Sequence, residues 1–200
     1  FLTSFIYDRI IPMQIKDIQD DIDEELISHD ALERRIVDVA AAVSRDYKGK
    51  NPLLIAVLKG AANVMVTFSQ AMSIPLEIDY MSLSSYGSGT ESSGKITVRE
   101  DLTTDVAGRH VLIVEDIVDS GYTLNWLVGE LNRRGAASVE IFAMLEKPAR
   151  RKYHVDVKYR GFEIPDKFVV GYGLDYNEYY RNLNSIAVLK PSVYTEGECA

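Results

Sequence analysis

The chain has 200 residues, 46% apolar and 26% charged, a globular mix that excludes disordered and collagen-like classes. Against 30 Asp and Glu stand 22 Lys and Arg, and the net charge of −8 argues against general affinity for nucleic acid or an anionic membrane. The single cysteine, Cys199, leaves no intrachain disulfide, no apolar run approaches a bilayer span and no signal-peptide pattern opens the chain, so a cytoplasmic protein is expected.

Residues 32–43 place Leu32, Ile36, Val39, Ala40 and Val43 on one face of a predicted helix, with Asp30 as its cap and Gly49 beyond its end. The unbroken run LLIAVL at 53–58 predicts a strand buried on both faces. Lys59-Gly60 punctuates it, a helix of small and apolar residues is predicted over 61–72, and another strand over 76–83. Residues 84–95, SSYGSGTESSGK, hold three glycines and five serines without periodicity; a mobile lid and an idle hairpin connection both fit that length. Strands are predicted at 96–100, 111–114, 141–145 and 168–170, and a helix over 122–134 with Leu124, Leu127, Val128 and Leu131 inward and Gly135 as its stop. Strands alternating with helices predict an α/β fold with a largely parallel central sheet flanked by helices. The segment 186–189 is expected to return and pair with residues 5–10. One domain over 1–200 results, its core at about 30–175 and a small hood from about 1–20 and 176–195.

The chemistry is concentrated in VLIVEDIVDSGYTL at 111–124. A buried strand delivers two adjacent acids, Glu115 and Asp116, to its C-terminal end, the side on which open α/β sheets bind ligands. Asp119, Ser120, Gly121, Tyr122 and Thr123 follow, supplying hydroxyls, a glycine that permits close approach and the N–H groups of a helix start. That combination suits one phosphate group. An isolated Asp-Ser-Gly also reads as an ordinary helix cap. A cap, however, has no use for the two acids, whereas paired carboxylates suit a vicinal diol and a divalent cation.

This stretch resembles the signature of phosphoribosyltransferases that use phosphoribosyl pyrophosphate. The resemblance covers roughly residues 5–190 and is strongest to the hypoxanthine-guanine enzymes, through AVLKGA at 56–61, SLSSYGSGTESSGKI at 82–96 and GFEIPDKFVVGYGLDYNEYYRNL at 161–183. It implies the type I phosphoribosyltransferase fold and a magnesium-dependent transfer of phosphoribose to a 6-oxopurine, giving IMP or GMP. It further implies that Glu115 and Asp116 hold the ribose hydroxyls and Mg²⁺, while Ser120, Gly121, Tyr122 and Thr123 cradle the 5-phosphate with Asp119. Asp119 would also be the general base near N7, a debatable role for a weakly basic carboxylate. Lys59, Gly60 and Arg181 would meet the pyrophosphate, with an unusual peptide before the lysine, and Asp175 a second Mg²⁺. Lys147 would donate to the purine 6-oxygen, Phe168 stack on the ring, the Val169 backbone read its edge, and Ser85 and Tyr86 ride on the closing lid.

Blander readings stand beside these. Lys59-Gly60 is an ordinary turn on its own, Arg181 a surface partner for Glu178, Lys147 a solvated strand end, and Phe168 and Val169 strand core. Tyr122 and Glu146 depart from the usual residues at their positions, and neither removes a matched site residue. His29, His110 and His154 lack ligand spacing, which leaves no zinc or nucleophilic site. The same signature occurs in nucleic-acid-binding regulators that sense phosphoribosyl pyrophosphate, but those need a basic face. A xanthine-preferring relative is the other alternative. By resemblance a homodimer or homotetramer is expected, with no nucleic-acid or membrane partner.

Overall fold

The computed structural model describes residues 13–85 and 96–195. Tyr86 and residues 5–10 therefore lie outside the described residues. In chain order the elements are β1 (Ile22–Ile27), α1 (His29–Asp46), β2 (Leu53–Leu58), α2 (Ala62–Ala71), β3 (Glu77–Ser85), β4 (Ile96–Glu100), β5 (His110–Val118), α3 (Tyr122–Arg133), β6 (Ser138–Glu146), β7 (Tyr159–Glu163), β8 (Val169–Val170), β9 (Ile186–Leu189) and α4 (Pro191–Thr195).

The central sheet has the order β4-β3-β2-β5-β6-β7. Every neighbouring pair in it is parallel except β3 with β4. Alternation along β2 and β5 explains why both read as unbroken apolar runs. Leu54, Ala56, Leu112 and Val114 point into the layer formed with α1 and α2, whereas Leu53, Ile55, Val111 and Ile113 face α3 through Leu124, Leu127 and Leu131. Each strand is thus buried on both faces, as a covered parallel sheet requires. The cap of α1 is Ser28, whose Oγ accepts from Ala31 N, so Asp30 becomes a first-turn acid instead of the expected cap.

A second, three-stranded antiparallel sheet has the order β1-β9-β8. Its Ile22, Val170, Ala187 and Leu189 pack with Leu183 on one side, while Ile27, Val169, Ile186 and Val188 join the core shared with α1 and α2. Among the described residues Ile186–Leu189 pairs with Ile22–Ile27 on one edge and Val169–Val170 on the other, while the expected partner at 5–10 lies outside them. The sequence IDEELI hides β1 because only Ile22 and Ile27, its two ends, are fully buried; the acids between them face outward. The small sheet also draws β8 from inside the stretch expected to be core.

Candidate active site

In the sheet order the chain winds outward in one direction from β2 to β3 and in the other from β5 through β6 to β7. The reversal between β2 and β5 is the place where a doubly wound sheet opens a crevice for ligands. The two strands pair from Leu53 with Val111 to Ala56 with Val114 and then separate. Strand β5 nevertheless continues, because its ladder with β6 carries Glu115 opposite Ala143, Ile117 opposite Leu145 and Val118 opposite Glu146. It therefore runs four residues past the end of its apolar run, and Glu115 and Asp116 stand within the strand at the mouth of the crevice.

Three chain segments close on this point. A Cβ built on Gly60, just after β2, would lie 1.7 Å from Asp116 Oδ2. A Cβ on Gly173, whose φ is +105°, would lie 2.1 Å from the Gly60 carbonyl oxygen. Only glycine fits at Gly173, whereas at Gly60 a side chain would have to push the Asp116 carboxylate aside. The Leu58–Lys59 peptide leading into the turn is cis. Burial first, and then the charge of Asp116, hold the Glu115 carboxyl well above the usual carboxylate range, and its buried Oε2 has no hydrogen-bond partner. Burial also pushes Asp116 up to about 6, against the donation of Ile117 N to Oδ1 at 2.7 Å and the nearby charge of Arg181; Asp175 raises it further.

Helix α3 begins without a side-chain cap. Its N-cap is Gly121, at φ 80°, which excludes Asp119 as the cap residue. Ser120 Oγ accepts from Tyr122 N at 3.3 Å. Between this helix start and the end of β5 lies a cavity of about 100 Å³, lined by Glu115, Asp119, Ser120, Gly121, Tyr122 and Thr123 among others. It has room for one tetrahedral anion and is floored by N–H dipoles that favour negative charge. Asp119 Oδ1 lies 3.0 Å from Arg150 Nε, close enough for an ion pair but without hydrogen-bond alignment.

Lys147 overturns the solvated reading, being only 6% exposed. Burial lowers its pKa, while the charges of Asp119 and Asp166 act in the opposite sense. Its N–H donates to Val118 O, which ties the ends of β5 and β6 together. Phe168 is not strand core either. It precedes β8 and is 38% exposed, with Tyr194 stacked on it at 4.9 Å and Tyr176 meeting it edge-on at 5.8 Å. Val169 is buried within β8, as a core residue.

Arg181 makes the ion pair with Glu178 that its blander reading expects, and a closer one with Asp175. Its Nη2 lies 2.7 Å from Asp175 Oδ1 and 3.4 Å from Glu178 Oε2, and Nη1 donates to Gly173 O. Lys59 Nζ reaches the same Glu178 carboxylate at 2.8 Å. Lys59, Glu178, Arg181 and Asp175 thus form a chain of ion pairs beside the glycine contact. Glu115, Asp116 and Asp175 do not converge as a three-ligand metal cage among the described residues. Ser85 ends β3. Sequence reasoning missed Gly173, Glu178 and Arg150 as members of the site; the positive φ at Gly173 leaves no mark that distinguishes it from any other turn glycine.

The model of the phosphoribosyl transferase domain family matches residues 23–177. The hypoxanthine-guanine phosphoribosyltransferase of Streptococcus pneumoniae is 46% identical over 178 residues, which is 89% of this chain and 99% of that protein. The enzyme of the same name from Bacillus subtilis is 47% identical over 174 residues, or 87% of this chain and 97% of that protein. A bifunctional TilS/HprT protein of Listeria monocytogenes is 46% identical, but the match spans only 28% of its length. A crystal structure of a Staphylococcus aureus hypoxanthine phosphoribosyltransferase superposes with a TM-score of 0.86 at 41% identity, covering 89% of this chain and 97% of that one. The chain belongs to the phosphoribosyltransferase family, among its hypoxanthine-guanine members.

Proposed function

We propose that the protein transfers the 5-phosphoribosyl group of phosphoribosyl pyrophosphate to N9 of hypoxanthine or guanine, forming IMP or GMP and releasing pyrophosphate. One observation carries this reading: Glu115, one of the two adjacent acids of β5, and the start of α3 line a single cavity. A sugar diol and a phosphate on one substrate need that pairing. In this reading Glu115 and Asp116 hold the ribose hydroxyls, and Ser120, Gly121, Tyr122 and Thr123 surround the 5-phosphate. Lys59, Gly60 and Arg181 face the diphosphate.

The bond from C1 of the ribose to the pyrophosphate oxygen breaks as the bond from purine N9 to C1 forms, through a state with oxocarbenium character. The carboxylate of Asp119 takes or shares the purine proton at N7, and the surrounding acids stabilise the developing sugar cation. Lys147, buried beside Asp119, donates to the 6-oxygen, a bond the amino group of adenine cannot accept. Phe168 stacks on the ring and the Val169 backbone reads its edge.

The unpartnered Glu115 Oε2 and the carboxylates of Asp116 and Asp175 are hard oxygen donors that fit Mg²⁺. An incomplete set also suits this ion, which keeps waters and substrate oxygens in its shell. When bound, it would neutralise and orient the diphosphate-bearing sugar. A homodimer or homotetramer in the cytoplasm belongs to the same reading; among the described residues no helix is long and apolar enough to cross a membrane.

The test is to incubate the protein with phosphoribosyl pyrophosphate, Mg²⁺ and each of hypoxanthine, guanine, xanthine and adenine, then separate the nucleotides. IMP and GMP are expected. Xanthosine monophosphate in excess of both would move the assignment to a xanthine-preferring enzyme, and no nucleotide above a boiled control would sink it.

A further inference from the structure

The loop that starts α3 does not hold its shape alone. Residues 119–122 lie along residues 150–153 and are met at every position. Asp119 faces Arg150 at 3.0 Å. The carbonyl of Ser120 accepts from both Lys152 N and Tyr153 N, each at 3.0 Å. Gly121 is pressed so closely that an added Cβ would lie 2.9 Å from Tyr153 O and 3.2 Å from Arg151 Cδ. The Tyr122 and Tyr153 rings pack with centroids 5.1 Å apart. A glycine with φ 80° at the head of a helix is thus fixed by an external surface.

That surface is itself anchored at one point. Glu146, the last residue of β6, is 7% exposed. Its Oε1 accepts from Arg151 Nη2 at 3.0 Å and its Oε2 lies 3.1 Å from Arg160 Nε. The Arg151 guanidinium therefore reaches Glu146 at its tip while its stem presses on Gly121. An acid–base pair of this kind, largely out of water, holds one geometry because a broken pair leaves a charge uncompensated.

We infer that residues 150–153 are the backing that shapes the anion loop, and that Glu146 and Arg151 are positioning residues for the phosphate bound at the start of α3. They touch no substrate atom; they act through Gly121 and Ser120. The inference rests on the reading of that cavity as the 5-phosphate site.

Kinetics in which the two substrates are varied separately test it. Arg151→Met keeps the stem against Gly121 and removes the guanidinium, and Glu146→Gln removes the charge from the other side. Both are expected to raise KM for phosphoribosyl pyrophosphate by about ten- to hundredfold, the scale of an ångström-sized misplacement. KM for hypoxanthine should stay within about twofold, because a change confined to the phosphate loop removes binding of one substrate only. Arg151→Lys should recover part of the loss. The double variant Glu146→Met with Arg151→Met replaces the pair by apolar side chains of similar volume, which buried pairs commonly tolerate, and keeps the test readable should a single variant not fold. Thr123→Val, a change inside the cavity, separates the two levels. If it raises the phosphoribosyl pyrophosphate KM while Arg151→Met and the folded double variant leave it unchanged, the anchoring role is overturned and the phosphate site stands. If Thr123→Val leaves that KM unchanged, the site reading falls and takes the inference with it. Equal rises in both KM values for the Arg151 variants would mark a merely structural role and overturn it as well.

Discussion

Gly60 and Asp116 are so close that a single methyl group on the glycine would fall 1.7 Å from the carboxylate oxygen of the aspartate. The turn after β2 and the end of β5 therefore fix one another across the crevice, and the absence of a side chain at Gly60 sets where Asp116 can stand. In Gly60→Ala the carboxylate must swing aside. Since an ångström of misplacement can cost about a hundredfold in rate, kcat/KM is expected to fall by about that factor. The fold should survive, because the atom displaced is the end of a side chain. Gly173→Ala is the harsher change: its Cβ would meet the Gly60 carbonyl, and its φ of +105° suits only glycine. Steady-state kinetics with a thermal melt on each variant separate the two; near-normal activity in Gly60→Ala would show that Asp116 is not held by this contact.

Asp119→Asn removes a proton acceptor while keeping size and shape. General base catalysis contributes about 10²- to 10⁴-fold, so kcat should drop within that range while the dissociation constant for IMP changes little. Asp119 is not the cap of α3 and accepts no hydrogen bond through Oδ1, so the cap at Gly121 does not depend on its charge, although its ion pair with Arg150 does. A turnover equal to that of the unaltered protein would remove its role as base and leave positioning and charge as the sources of rate.

The parts of this site that the chain sequence displays are those that lie next to one another in it. Glu115 to Thr123 form one strand–loop–helix passage, and apolar alternation, adjacent acids and glycine are all visible there. The central sheet was legible for the same reason, since strands covered on both faces are unbroken apolar runs. What was hidden depends on contacts between distant segments. Strand β1 exists because β9 offers it an edge, not because IDEELI looks like a strand. The burial of Lys147, the exposure of Phe168 beneath Tyr194, and the meeting of Gly60 with Gly173 are equally tertiary. Arg181 illustrates the limit: its pairing with Asp175 is local enough to suspect, whereas its electrostatic hold on Asp116 across the crevice is not.

Phe168 offers a partly open ring backed by Tyr194 and edged by Tyr176. Stacking of a base on an aromatic side chain is worth about 1–3 kcal/mol by alanine substitution, so Phe168→Ala should raise the purine KM by about five- to a hundredfold. Phosphoribosyl pyrophosphate should bind as before, because this ring does not line the α3 cavity. An unchanged purine KM, measured for both hypoxanthine and guanine, would remove Phe168 from the base site.

The far end of α3 is held by charge, and acid should loosen it. Glu130 accepts from Arg133 and from Arg134, and Arg134 also pairs with Asp101 beyond β4. Hydrogen bonds from Arg133 and then Arg134 hold the Glu130 carboxyl at about 2, below its ordinary 4.5. A carboxylate whose folded pKa is depressed stabilises the fold above its unfolded pKa and loses that contribution as pH falls through the folded one. The window is therefore from about pH 4.5 down to about 2. One pKa unit corresponds to about 1.4 kcal/mol, but Arg133 is 72% exposed, and solvent screening reduces the contribution to about 1 kcal/mol. Urea unfolding of the unaltered protein and of Glu130→Gln should differ by that amount at pH 7, and the gap should shrink steadily below pH 4.5. Both proteins lose stability in acid through their other carboxylates, so the difference between them, not either midpoint, is the diagnostic. A gap that stays constant down to pH 3 would mean that Glu130→Gln weakens the protein for reasons of packing, and that α3 is not charge-pinned at this end.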